Sequence, residues 1–156
     1  MEGLLHSLAS NAGSKYGELS TAASSAREMA VREGEAVAPH ILRARCLTAV
    51  EIALNTKQAK FCQTATDALQ AMIRDQRFER EDVTETENES CAMQVLHALN
   101  GMPTWKPQYQ CRILTIIVEM MCNGSGRTAV AAVNSALQVS MKEFLKLRWW
   151  TDCELA

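Results

Sequence analysis

Two apolar, alanine-rich segments separated by a short polar break constrain the fold of this chain most strongly. Residues 46–54 (CLTAVEIAL) and 61–73 (FCQTATDALQAMI) contain no Gly or Pro, and the break at 55–60 reads NTKQAK. Apolar residues three and four positions apart form one face of an α-helix. Two helices with so short a gap form an antiparallel hairpin, in which each helix buries one face on the other. Their remaining apolar faces need further helices to cover them, which predicts a stack of helical hairpins.

Helical periodicity recurs along almost the whole chain and predicts an all-α fold. Aromatic residues make up only 5% of the chain, while Ala, Leu and Met, which favour helices, are plentiful. Gly13 and Gly17 weaken the first segment, so that it forms one broken helix or two short ones. The expected helices cover residues 3–32, 39–55, 57–76, 89–100, 107–122 and 127–147. We therefore predict an armadillo/HEAT-like α-solenoid of five to six antiparallel helices, with a compact bundle as the alternative. The plausible repeats are 39–55/57–76 and 89–100/107–122.

Two segments depart from the ordinary amphipathic pattern. The helix at 107–122 is expected in the middle of the stack, because RILTIIVEMM within it is apolar nearly all round. Residues 79–90 (EREDVTETENES) hold six acidic residues and one apolar residue, Val83. Such a stretch buries too little surface to offset the entropy lost on ordering, so we expect an exposed, mobile acidic loop. The length of 156 residues suits a single domain over 1–156.

No residue pattern in the sequence indicates catalysis, metal binding or a cofactor. The three histidines lie in different segments, and metal-ligand spacings such as HExxH or CxxC are missing. The turn Asn123-Gly-Ser-Gly lacks the Lys and the preceding strand of a phosphate-binding loop. We therefore expect no catalytic residues, no metal site, no cofactor and no enzymatic activity.

Cysteine usage, charge and hydropathy indicate a cytoplasmic protein. The cysteines fall mostly inside apolar helical runs, at positions 46, 62, 91, 111, 122 and 153. Buried, reduced thiols are typical of a reducing compartment. The formal net charge of −2 argues against nucleic acid as a partner and against a general grip on anionic membrane. No apolar run approaches the ~20 residues that span a bilayer, so no membrane insertion is expected.

Three groups of residues fit the binding of a protein partner. The first is a basic set around the first hairpin, made of Arg43, Arg45, Lys57 and Lys60. The second is Trp105, Tyr109 and Arg112, which are residue types enriched at interface hot spots. The third is Trp149–Trp150, since adjacent helical residues point about 100° apart and both rings cannot enter one core. The alternatives are a solvated outer face for the basic set and a Trp105 folded back on the helix ends. The predicted partner-binding residues are Lys57, Lys60, Trp105, Tyr109, Arg112, Trp149 and Trp150.

Three stretches resemble a known family. APHILRARCL (38–47), EIALNTKQAKF (51–61) and DALQAMIRDQRF (67–78) are similar to the N-terminal dimerisation and cyclophilin-binding (DCB) domain of the large, brefeldin A-inhibited Arf guanine-nucleotide exchange factors. The resemblance implies an armadillo-like domain with a regulatory, non-catalytic role. It implies self-association, contacts with other domains of the exchange factor, and binding of an Arf-like small GTPase. It also implies peripheral recruitment to Golgi or other endomembranes, and that these residues are a fragment of a longer chain.

Two further hypotheses remain open from the sequence. One is a small helical enzyme, or an enzyme subunit, with an unrecognised site. A deep polar pocket with converging acids would favour it. The other is a purely structural bundle, which a monomeric chain that binds nothing would favour.

Overall fold

The computed structural model describes residues 1–32, 37–79, 86 and 89–123. Within these ranges the chain is helical and contains no strand. The helices are α1 (Glu2–Ala12), α2 (Gly17–Arg32), α3 (Pro39–Asn55), α4 (Ala59–Ile73), α5 (Gln76–Glu79), α6 (Cys91–Ala98) and α7 (Pro107–Asn123). Short 3₁₀ turns lie at Ser14–Tyr16 and Met102–Thr104. The predicted all-α fold is confirmed.

Glycine, proline and serine set several of the helix ends. Gly13 has a φ of 56°, a conformation that Gly adopts without strain, and it separates α1 from the turn before α2. Pro39 occupies the first turn of α3, where its missing N–H costs no hydrogen bond. Ser90 caps α6, because its side chain accepts a hydrogen bond from the backbone N–H of Met93. The predicted break in 3–32 and the predicted helix start at Pro39 are confirmed.

The helices stack in two rows. In one row α2 packs on α3 and α3 packs on α6; in the other, α1 packs on α4 and α4 packs on α7. Side-chain contacts between α4 and α7 join Ala59 to Tyr109, Asp67 to Arg112 and Arg74 to Glu119. The residue numbers rise together along both helices, so α4 and α7 run parallel.

The other row shows the same direction of stacking. At one end of α3, Arg43 bonds Gln94 of α6, and at the other end Asn55 lies beside Gly101, just after α6. The hairpin α3/α4 therefore stacks on the pair α6 and α7 without reversing direction. This is the stacking of an α-solenoid, and it joins the two segments that the sequence predicted as repeats.

The helix predicted at 57–76 is shorter in the structure. α4 begins at Ala59 and ends at Ile73, and α5 begins at Gln76. A carboxylate oxygen of Asp75 accepts a hydrogen bond from the backbone N–H of Arg77 at 3.1 Å, which favours a turn over a continuous helix. The turn brings Phe78 into the core, where its side chain is fully buried.

Arg43 is a buried residue, so its assignment to a basic outer surface was wrong. Its side chain has no exposed area. Its Nε donates to the side-chain oxygen of Gln94 at 2.9 Å, and its two terminal nitrogens donate to the backbone carbonyls of Phe78 and Glu89 at 3.0 and 2.6 Å. A buried guanidinium needs such acceptors because burial removes its water. One side chain thus fixes the chain on both sides of the acidic stretch.

The acidic segment predicted at 79–90 is shorter in the structure, because residues at both of its ends take part in helices or in contacts with them. Glu79 belongs to α5, the carbonyl of Glu89 binds Arg43, and Ser90 caps α6. The side chain of Glu89 accepts hydrogen bonds from the N–H and the hydroxyl of Thr86. The mobility predicted for the remaining residues lies outside the described part and stays a prediction.

The outer side of α7 and two of the cysteines are more exposed than predicted. Val118 is 57% exposed, so α7 is not covered all round. Cys46 and Cys62 are buried, as predicted, but Cys111 and Cys122 lie at exposed positions on α7; none of these four is in a disulfide. The exposed side of α7 is hard to recognise from the sequence, because Val and Cys are residue types that are usually buried.

The predicted helix at 127–147 and the residues Trp149 and Trp150 lie outside the described residues. In the ranges that the structure describes, no helix is both long and apolar enough to cross a bilayer.

Candidate protein-interaction site

The turn between α3 and α4 presents Lys57 in an unusual backbone conformation. Thr56 ends α3, with its hydroxyl donating to the carbonyl of Ala53 at 2.7 Å. Lys57 follows with a φ of 57°, which brings the chain round to the extended Gln58 at the start of α4. Left-handed φ values are strained for residues with a Cβ. The turn is closed by a hydrogen bond from the Gln58 N–H to the Thr56 hydroxyl, and the Lys57 side chain is exposed.

Trp105 lies beneath this turn and joins it to the region between α6 and α7. Its indole N–H donates to the side-chain oxygen of Asn55 at 3.0 Å, and the residue is only 4% exposed. The ring packs over Gly101, where a Cβ would lie 3.3 Å from the indole and 3.0 Å from the Asn55 oxygen. The absence of a side chain at Gly101 therefore makes room for the contact. Trp105 is therefore folded back on the helix ends, which was the predicted alternative to a position at an interface.

Tyr109 makes the second connection between the same parts of the molecule. The residue is 5% exposed, and its hydroxyl donates to the carbonyl of Ala59 at 3.3 Å, at the start of α4. The side-chain amide of Gln110 donates to the carbonyls of Met102 and Trp105, which holds the connection between α6 and α7 together. Trp105 and Tyr109 support this end of the stack from within.

α1 and the 3₁₀ turn after it also contact the end of the stack that carries the α3–α4 turn. The ammonium of Lys60 donates to the carbonyl of Asn11 at 3.2 Å and lies 4.6 Å from the centroid of the Phe61 ring. Phe61 in turn packs edge-on against Tyr16, with the ring centroids 5.0 Å apart. The ammonium of Lys15 lies 5.6 Å from the centroid of the Tyr16 ring.

These contacts bring four exposed lysines to one end of the stack. We call this surface the lysine edge: Lys15, Lys57, Lys60 and Lys106. Of the predicted site residues, Lys57 and Lys60 belong to it, while Trp105 and Tyr109 lie beneath it. Sequence reasoning missed Lys15 and Lys106 as site residues, because only the packing of α1 on α4 and of Tyr109 on Ala59 brings them close.

Arg112 is placed differently, on the flank that joins α7 to α4. It forms an ion pair with Asp67 of α4 and is partly buried. Further along the same flank Arg74 pairs with Glu119, and this hydrogen-bonded guanidinium holds the pKa of the Glu119 carboxyl below its usual value. Both pairs connect neighbouring helices of the stack. The prediction that Arg112 binds a partner is not tested by this geometry and stays a prediction, as it does for Trp149 and Trp150.

The described residues offer little that resembles a catalytic or metal centre. They contain no group of three or more His, Cys, Asp or Glu side chains placed to hold a metal ion. A groove of about 240 Å³ lies between α3 and α6, lined by the small side chains Ala44, Thr48 and Ala98 and by Glu51 and His97. Burial raises the pKa of the Cys46 thiol to about 12 and also raises the pKa of Cys62, so neither thiol is activated as a nucleophile.

The sequence is similar to two curated proteins over part of its length. Brefeldin A-inhibited guanine nucleotide-exchange protein 3 from Homo sapiens is 26% identical over 82 residues, which is 53% of this chain and 4% of that protein. The protein of the same name from Mus musculus matches with the same identity and coverage. No family model and no solved structure matches the chain. Over about half of its length, the chain is therefore related to a small part of a brefeldin A-inhibited guanine nucleotide-exchange protein.

Proposed function

We propose that the chain is a non-catalytic regulatory and protein-interaction module of a large Arf guanine-nucleotide exchange factor, equivalent to its DCB domain. The observation that carries the proposal is the 82-residue similarity to the two exchange proteins. Because the matched part is 4% of those proteins, the exchange activity in their name is not assigned to this chain. The module would act through self-association, through contact with other parts of the exchange factor, or through an Arf-like GTPase that recruits it to Golgi membranes.

The arrangement of the described helices supports a binding role. Stacked helical hairpins present extended surfaces formed by several repeats, which solenoid proteins use to bind other proteins. Here the packing of α1, α4 and α7 gathers exposed lysines at one end and places Trp105 and Tyr109 under them as rigid supports. We place the partner contact at this end, with Lys57 and Lys60 exposed to the partner and the two aromatic residues holding the surface in shape.

A nucleotide-dependent pull-down tests this proposal. The purified chain is immobilised and offered a panel of Arf and Arf-like GTPases, each loaded with GDP or with a non-hydrolysable GTP analogue. We expect one GTPase to be retained in its GTP form, and the variant Lys57→Glu/Lys60→Glu to retain less of it at low salt. Arg27→Glu/Arg45→Glu is a matched control, because both arginines are exposed on helix surfaces away from the α3–α4 turn. Arg45 was grouped with Lys57 and Lys60 from the sequence, but it lies outside the lysine edge.

Two outcomes would contradict the proposal. A chain that retains no GTPase, stays monomeric in sedimentation and binds no other part of an exchange factor would be a structural bundle. A chain that by itself accelerates nucleotide release from a GTPase would be catalytic, in conflict with the regulatory role.

A further inference from the structure

We propose that the lysine edge recognises an acidic polypeptide segment of a partner protein. This deepens the proposed function, on which it rests only in placing the partner at this end of the stack. Asp67, Asp75, Glu28 and Glu119 each form an ion pair with an arginine.

The lysines of the edge are left out of these ion pairs. None of Lys15, Lys57, Lys60 and Lys106 pairs with a carboxylate of the described residues. The segments that meet at this end, 11–18, 51–61 and 101–109, contain four lysines and two glutamates. In the part of the chain that the structure describes, Arg74 and Arg112 join α4 to α7. The lysines instead leave an excess of positive charge at one end of a chain whose net charge is −2.

The conformation of Lys57 is a second, independent observation. Its φ of 57° is strained for any residue with a Cβ, and Gly is the residue that fits this turn without strain. A lysine in that position is unfavourable for the fold. Strained residues that persist are often found at functional sites, where the side chain is used. The exposed ammonium of Lys57 is the part of this residue that a partner can contact.

The surroundings of the lysines favour a polypeptide over a membrane. Surfaces that dock on lipid combine basic residues with exposed apolar side chains that enter the interface. At the lysine edge Phe61, Trp105 and Tyr109 are buried, and Tyr16 is half-buried between Lys15 and Phe61. The large apolar side chains that the structure shows as exposed are Val31, Ile41 and Val118, and all three lie within helices and away from these turns. The edge therefore presents exposed lysine side chains, whose ammonium groups carboxylates along a flexible acidic segment can neutralise one by one.

The test measures binding of a defined acidic probe to the full chain. A fluorescein-labelled peptide of alternating Glu and Ser is titrated with the protein, and the same peptide with Gln in place of Glu is the probe control. Fluorescence anisotropy is recorded at about 20 mM and about 300 mM salt, since screening weakens exposed charge pairs at the higher concentration. We expect the Glu peptide alone to bind, and to bind more weakly at the higher salt concentration.

Matched variants locate the binding surface. Lys57→Glu/Lys106→Glu should weaken binding of the Glu peptide roughly tenfold, because each exposed charge pair contributes a few-fold. Arg27→Glu/Arg45→Glu makes the same change in net charge about 15 Å along the helices from the turns, and should change binding less than about twofold. Circular dichroism and thermal melting show whether each variant is folded. If Lys57→Glu perturbs the turn, Lys15→Glu/Lys106→Glu gives the same information.

Three results would overturn the inference. In the first, the parent chain binds the Glu peptide no better than the Gln peptide. In the second, the control variant loses as much affinity as the edge variant. In the third, phosphatidylserine vesicles sediment the parent chain through the same lysines while the Glu peptide does not bind, which identifies a membrane surface. A chain that binds the Glu peptide but no GTPase retains this inference and contradicts the GTPase part of the proposed function.

Discussion

At the scale of single residues, the hydrogen bond from Trp105 to Asn55 joins two hairpins at one point. The indole is buried over Gly101, so its contribution divides into ring packing and one polar contact. Trp105→Phe keeps most of the ring and loses the N–H, which should lower the free energy of unfolding by about 1 kcal/mol. Trp105→Ala removes the ring and should cost about 3 kcal/mol or more. Urea unfolding followed by circular dichroism measures both.

Gln110→Ala serves as a comparison, because it removes a side chain from the same connection without emptying the space under the turn. If Trp105→Ala unfolds at the same urea concentration as the parent, the ring is not packed as described.

Thiol reactivity reports burial residue by residue. Cys111 and Cys122 are exposed and should react with Ellman's reagent within the first minutes on the native protein. Cys46 and Cys62 are buried with raised pKa values and should react only as the protein unfolds. Mass spectrometry of the labelled peptides distinguishes the sites, and rapid labelling of Cys46 in the folded protein would contradict the packing of α3.

The same burial makes stability depend on alkaline pH. The pKa of Cys46 rises from 9.0 to about 12 on folding, so the folded state keeps its proton where the unfolded state loses it. The stabilisation is complete below pH 9 and is lost as the pH rises towards 12. The melting temperature should therefore fall more steeply above pH 9 for the parent than for Cys46→Ala. Equal slopes would show that burial of the Cys46 thiol does not contribute to the loss of stability.

At the scale of elements, the α3–α4 turn contains a local strain that can be removed. Lys57→Gly relieves the left-handed φ of 57° and should raise the free energy of unfolding by up to about 1 kcal/mol. Gln58→Gly is the matched control. Gln58 is also exposed but has an extended φ of −83°, so Gly there only increases the entropy of the unfolded chain. Lower stability of Lys57→Gly than of the parent would show that the lysine side chain stabilises the fold.

Periodicity predicts most of these helices because each buries a recurring apolar face, as Leu42, Cys46 and Val50 do along α3. It did not predict the end of α4, where Asp75 competes for a backbone N–H, or the exposed side of α7 at Val118. Hydrophobicity alone cannot say whether a neighbouring helix covers a given side. The same limit applies to Trp105 and Arg43, since an aromatic or basic residue suits an internal contact as well as an interface.

At the scale of the whole molecule, the two rows of helices bring together residues that lie far apart in the sequence. The lysine edge combines residues from the turn after α1, from the α3–α4 region and from the residue before α7. Of its four lysines, only Lys57 and Lys60 were predicted as site residues. Lys15 and Lys106 belong to it because α1 packs on α4 and α7 packs on α4. Charge asymmetry of this kind depends on the direction in which hairpins stack, which a local sequence pattern does not encode.

The anchoring by Arg43 predicts how the fold responds to changes in the acidic stretch. Removing residues 80–88 and closing the gap with a short Gly-Ser linker should change the free energy of unfolding by about 1 kcal/mol or less, because loop entropy varies slowly with length. Arg43→Met leaves the buried carbonyl of Phe78 and the partly buried carbonyl of Glu89 without their donor and should cost about 3 kcal/mol or more. Chemical denaturation measures both, and a larger loss for the deletion than for Arg43→Met would show that the acidic residues themselves stabilise the helices.

The two hydrogen bonds from Arg43 to Phe78 and Glu89 also bear on how such a protein can evolve. With both ends held by one side chain, selection for a stable stack acts on the anchors and hardly on the number of residues between them. Insertions and deletions in this interval then escape purifying selection that would remove them from α3, α4 or α7. Across related sequences, chain length should vary most between the counterparts of these two residues, with an arginine retained at the counterpart of Arg43.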